Sequence, residues 1–152
     1  MLQAGEKAPD FQGINQNGEI VSLSGFKGKK VILYFYPKDN TPGCTAEACS
    51  LNDKNDYFLH KGYVIIGISP DSVTSHKKFE ENHRLAFNLI SDPEKQIIQA
   101  YGAWGEKKNY GKTYMGLLRT TFIVSEDGII EKVFPKVDTK THAEQIIKSL
   151  GL

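Results

Sequence analysis

The residues able to do chemistry in this 152-residue chain concentrate in one stretch, YFYPKDNTPGCTAEAC, residues 34 to 49. Both cysteines, Cys44 and Cys49, lie in it five positions apart, so any thiol chemistry is done there or nowhere. A pair this close cannot staple a fold, and in a reducing compartment it reads as catalytic or redox-active. Thr41 suits a helix N-cap and Pro42, with no N–H to satisfy, the first helical position, which puts Cys44 third. Its sulfur then faces the positive end of the helix, where free N–H groups favour a thiolate. Gly43 keeps bulk away, so a small substrate can approach the backbone donors, and Pro37 at the end of the preceding strand would shield the thiolate from water. A second positive group is on offer. Only two arginines occur, Arg84 and Arg119, and Arg119 opens an apolar run. Its planar, permanently charged fork suits a partly buried anion, and Glu47, one turn after Cys44, could hold it. Blander readings stand beside these: Arg119 as a sheet-edge cap, Cys49 as a small buried hydrophobe, Thr41 as an N-cap and nothing more. The last is compatible with chemistry, because a capping hydroxyl can still donate its proton.

The elements that must position these groups alternate between strand and helix periods without a linker. Residues 31–36 form a continuous apolar run, as a strand buried on both faces should, and residues 64–69 a second. A helix is expected over residues 42–60, stopped by Gly62, and another over 73–82 behind Pro70-Asp71-Ser72. Asp92-Pro93 opens a third helix carrying Ile97, Ile98 and Tyr101. Residues 19–23 read as a short edge strand after the Asn17-Gly18 turn, and residues 120–125 and 129–134 as a hairpin around Glu126-Asp127-Gly128. The last helix starts at Thr141, with Glu144 completing a capping box, and ends near Gly151. Residues 102–118 read as a mobile surface loop beside the site, with Trp104, Tyr110, Tyr114 and Met115 lining an apolar wall. The order is that of a thioredoxin-like α/β domain with an N-terminal extension, a mixed central sheet flanked by helices, and Cys44 where a strand's carboxyl end meets a helix.

Composition narrows the setting. The length suits a single domain spanning residues 1–152. Nineteen basic residues against 18 acidic leave a net charge of +1 with no charged block, which argues against a nucleic-acid or membrane surface. The opening MLQAGEKAPDF lacks a leader pattern, and the expectation is a cytoplasmic protein. His60, His76, His83 and His142 show no metal spacing and are expected in solvated or helix-terminal roles. GEKKNYGKT, residues 105–113, has five residues between its glycines where a phosphate loop needs four.

Pro37, Thr41 and Cys44 form P-x-x-x-T-x-x-C, which resembles the active-site motif of the peroxiredoxins, and Arg119 before TTFIV matches the place of that family's arginine. FYPKDNTPGCTAEAC, the Cys-x4-Cys spacing and YGKTYMGLLRTTFIV are similar to the bacterioferritin comigratory protein, or peroxiredoxin Q, branch. The resemblance runs over essentially the whole chain and implies a hydroperoxide substrate, with Cys44 attacking the peroxide and becoming a sulfenic acid. It implies that Thr41, Arg119 and the N–H groups of Gly43 and Cys44 orient that peroxide, and that Cys49 resolves the sulfenic acid into a disulfide. It also implies reduction by thioredoxin or a similar dithiol, with no metal, haem or flavin required. A pair within one chain needs no second subunit, so a monomer is expected.

Helix geometry adds a demand. Residues five apart are rotated by about 500° and their Cα atoms stand roughly 8 Å apart. A disulfide needs less than about 7 Å, so the first turns of the helix must unwind in each cycle. Two other functions compete with a thiol peroxidase: a thioredoxin-type oxidoreductase, which should show Cys-x-x-Cys instead, and a non-catalytic binding protein on the same fold.

Overall fold

The structure, a computed structural model, describes residues 1–152 apart from the side chain of Asn109. In chain order the elements are β1 (Gln12–Ile14), β2 (Ile20–Ser22), a 3-10 turn (Leu23–Phe26), β3 (Lys30–Phe35), α1 (Pro42–Asp53), α2 (Asn55–His60), β4 (Tyr63–Ser69) and α3 (Val73–His83). There follow β5 (Asn88–Ser91), α4 (Gln96–Ala100), β6 (Trp104–Asn109), β7 (Lys112–Leu117), β8 (Thr120–Val124), β9 (Ile130–Phe134) and α5 (His142–Leu150). Seven strands make one mixed sheet in the order β2-β1-β5-β4-β3-β8-β9. Within it β3, β4 and β5 run parallel, while β8 is antiparallel to β3 and β1 to β5. The sheet is flanked by helices, as expected of a thioredoxin-like fold.

The apolar run of β3 is explained by the layers on either side. Its odd positions Val31, Leu33 and Phe35 join a core with Ile68, Phe122, Ile98 and Tyr101, on the face of α4. Its even positions Ile32 and Tyr34, with Tyr36 beyond the strand, join a second core with Cys44, Leu51, Phe58, Phe79 and Ile146, beneath α1, α2, α3 and α5. Each such side chain contributes roughly 1.5–3 kcal/mol of burial, so register slips that would exchange the two faces are strongly disfavoured.

Several sequence expectations are corrected. The expected helix over 42–60 breaks at Lys54 (φ −107, ψ 10), two residues after Asn52, whose side-chain amide is tied to the α3–β5 connection, donating to Arg84 O (3.1 Å) and accepting from Ala86 N–H (2.9 Å). The helix placed after Asp92-Pro93 begins only at Gln96; Lys95 at its N-cap is left-handed (φ 60), and the Asp92 carboxylate accepts from Gln96 and Ile98 N–H. The capping box of α5 is absent: Thr141 makes no side-chain cap, and Ser50 of α1 accepts from Ala143 N–H at 3.0 Å instead. β1 and β5 were not anticipated. They pack so closely that a Cβ on Gly13 would collide with Ile90, so glycine is required there.

The segment 102–118 is a β6–β7 hairpin rather than a loop, turned by Tyr110 and Gly111, both left-handed (φ 52 and 77). Trp104 and Leu117 pack on the core, whereas Tyr110, Tyr114 and Met115 are exposed and form no apolar wall. No helix among the described residues is long and apolar enough to cross a membrane.

Candidate active site

The strand β3 ends at Phe35, and the chain then turns through Pro37 to Thr41 into α1, the junction anticipated from the sequence. Thr41 is extended (φ −85, ψ 154) at the N-cap, Pro42 occupies the first helical position, and Cys44 is the third. Thr41 does not cap through its side chain. Its hydroxyl donates instead to Lys38 O at 2.8 Å, which leaves the lone pairs of Oγ1 free. Pro37 is half-buried beside it.

Cys44 is a free thiol with 1% of its surface exposed, at the first turn of α1, where backbone N–H groups have no intrahelical partner. Arg119, immediately before β8, reaches it from the neighbouring strand: Nη2 donates to Cys44 Sγ at 3.3 Å, and Nη1 to Glu47 Oε1 at 2.6 Å. One guanidinium thus bridges the sulfur and a fully buried carboxylate. Gly43 lies under it; a Cβ there would stand 3.4 Å from Arg119 Nη2. Burial works against the charge on Arg119, but Cys44 and Glu47 together outweigh it and raise its pKa. The sheet-edge reading of Arg119 therefore gives way to the ion-pair reading. Cys49 is half-buried a turn and a half along α1, and desolvation followed by the nearby Asp53 carboxylate raises its pKa, so it stays a thiol.

Glu47 is held at the edge of ionisation. Desolvation pushes its pKa up to about 7, and Arg119 opposes that rise. Only one of its oxygens is paired; Oε2 has no hydrogen-bond partner among the described residues and faces His142 Nε2 at 3.8 Å. His142 Nδ1 donates to Gln145 Oε1 (2.9 Å), so Nε2 is bare and accepts from the Thr121 hydroxyl (2.7 Å). Desolvation lowers the His142 pKa to about 4, and the imidazole is neutral.

Two of the four histidines are therefore misjudged by the sequence: His76 and His142 are fully buried, neither solvated nor merely terminal. The available signal was spacing, since His76 shares a helical face with Phe79 and His142 with Ile146. Sequence reasoning also missed Asp39, which is buried between Tyr36 and His76.

The family model described as the AhpC/TSA family matches residues 4–133. Peroxiredoxin Bcp of Bacillus subtilis (strain 168) is 46% identical over 149 residues, covering 98% of this chain and 95% of that protein. Peroxiredoxin Bcp of Escherichia coli (strain K12) is 42% identical, covering 98% and 96%. A structure of the Xanthomonas campestris bacterioferritin comigratory protein, described with an alkyl peroxide reduction activity, superposes with a TM-score of 0.90 at 34% identity, covering 97% of each chain. With likeness running nearly end to end in both sequence and structure, the chain belongs to the AhpC/TSA family as a peroxiredoxin, a thiol peroxidase of the Bcp type.

Proposed function

We propose that the protein reduces hydrogen peroxide and organic hydroperoxides through Cys44, that Cys49 resolves the product, and that thioredoxin or a similar dithiol returns the electrons, the enzyme acting as a cytoplasmic monomer. The observation that carries this reading is the Arg119 guanidinium shared between Cys44 Sγ and Glu47. Alkyl peroxide reduction by the Xanthomonas relative supports the organic substrates.

In the first step the Cys44 thiolate attacks the terminal oxygen of ROOH. An S–O bond forms, the O–O bond breaks, and its electron pair leaves on RO⁻, which takes a proton and departs as water or an alcohol. Arg119 and the N–H groups of Gly43 and Cys44 stabilise the charge moving between the oxygens. The free lone pairs of Thr41 Oγ1 suit the O–H of the peroxide, and Pro37 keeps water from the sulfur. Cys49 then attacks the Cys44 sulfenic acid, forming the disulfide and releasing water. A dithiol donor, itself oxidised to a disulfide, restores both thiols.

Stopped-flow mixing with hydrogen peroxide tests this. Cys44→Ser should abolish consumption, while Cys49→Ser should consume one equivalent and leave a sulfenic acid that dimedone traps. Consumption that survives Cys44→Ser, or insulin reduction without peroxide consumption, rules the reading out.

A further inference from the structure

The chain segment that presents Pro37 and Thr41 is fixed by a buried polar cluster that none of the thiol steps uses. We propose that Asp39 and His76 are positioning residues for peroxide binding, His76 acting through Asp39; this rests on the proposed peroxidase function.

Asp39 stands midway between Pro37 and Thr41, and its side chain reaches into α3. His76 is wholly buried and Asp39 is 5% exposed. The ring of His76 is held at both ends: Nε2 lies 3.1 Å from Ile90 O, which can only accept, so Nε2 donates, and Nδ1 lies 2.7 Å from Asp39 Oδ2. The Asp39 carboxylate also accepts from the Tyr36 hydroxyl at 2.6 Å and the Ser75 hydroxyl at 2.8 Å. Its backbone N–H donates to Asp71 Oδ2 at 2.8 Å, and Asp71 is in turn held by the Ser69 hydroxyl at 2.8 Å. Tyr36 just beyond β3, β4 through Ser69 and Asp71, and α3 are thus all tied to one residue of the turn.

Such over-determination has a reason next door. Asn40 is left-handed (φ 60), a conformation that residues with a side chain adopt less readily than glycine, and it immediately precedes Thr41 in its extended cap position. Without the cluster the turn relaxes and Thr41 drifts from the sulfur. Cys44, Arg119 and Glu47 lie on other elements and keep their contacts, so the thiolate itself should be spared. Ligating atoms of Asp39, Asp71 and His76 lie within 4.8 Å of one another, but their hydrogen bonds to each other and to Tyr36, Ser69 and Ser75 already satisfy them, which favours a closed brace over a metal site.

The test compares two rates in a Cys49→Ser background, where Cys44 is the sole thiol: oxidation by hydrogen peroxide and alkylation by iodoacetamide. His76→Gln, which can reach only one of the two ring partners, should slow oxidation about 10- to 100-fold and leave alkylation close to the parent rate. Tyr36→Phe and Ser75→Ala, which each remove one donor to Asp39 without emptying the core, should shift the same ratio in the same direction and carry the test if His76→Gln does not fold. Equal losses in both rates, an unchanged oxidation rate in folded variants, or stoichiometric Zn2+ binding by the parent that His76→Gln abolishes would overturn the proposal. A parent that consumes no peroxide at all overturns the peroxidase reading instead.

Discussion

Arg119 concentrates the chemistry of the site in a single side chain because its two terminal nitrogens serve different partners. Lysine has the charge without the fork. Arg119→Lys should therefore lose either the sulfur or the Glu47 contact, and stopped-flow oxidation by hydrogen peroxide should slow by about 10- to 100-fold. Behind it, Glu47 and His142 make opposite demands on pH. The folded pKa of Glu47, raised from 4.5 to about 7, gives stability that is full below pH 4.5 and lost as pH rises through about 7. That of His142, lowered from 6.5 to about 4, gives stability that is full above pH 6.5 and lost as pH falls through about 4. Each shift corresponds to about 3 kcal/mol, so the two slopes largely cancel in the native protein. Urea denaturation across pH 4 to 7 should expose them singly. Relative to the native protein, Glu47→Gln should gain stability as pH rises and His142→Gln should lose it.

At the scale of elements, α1 has two unlike halves. Its first turns carry both cysteines, while its end is clasped by Asn52 to the α3–β5 connection. Unwinding needed to bring Cys44 and Cys49 together is therefore expected to stop at Asn52. Hydrogen exchange should show amides 44–50 losing protection in the oxidised form while those of α2 keep theirs; identical exchange in both redox states would exclude unwinding. The elements also mark how far the sequence could be read. Runs that are apolar and long, β3, β4 and the β8–β9 hairpin, declare themselves because burial alone shapes them. β5 hides because it has four residues with Asn and Ser at its ends, and β6–β7 because its turn puts Tyr110, a residue that rarely adopts positive φ, in the left-handed region. The Cys44, Thr41, Gly43 and Glu47 set was legible because it lies within one helix turn or cap of itself. The Asp39–His76 brace, spanning 37 positions, follows no spacing rule and becomes visible only when the sheet brings α3 over the turn.

Across the whole molecule, the β1–β5 contact and the site lie in different cores, Ile90 and Ile97 in the one on the face of α4 and Cys44 in the one beneath α1, so damage at β1 should spare the site. Gly13→Val, which forces a side chain against Ile90, should destabilise the fold by about 1–3 kcal/mol in urea denaturation while leaving the peroxide reaction of the folded fraction unchanged. The near-complete burial of Cys44 has a further consequence for the proposed cycle. A peroxide, a few atoms across, needs far less of an opening to meet the sulfur in that cycle than the thiol of another protein does. Oxidant and reductant would thus be sorted by size: the closed enzyme would answer only to the small one, and a dithiol donor would gain access only after oxidation had loosened α1. The sequence of events in turnover would then be enforced by admission rather than by affinity.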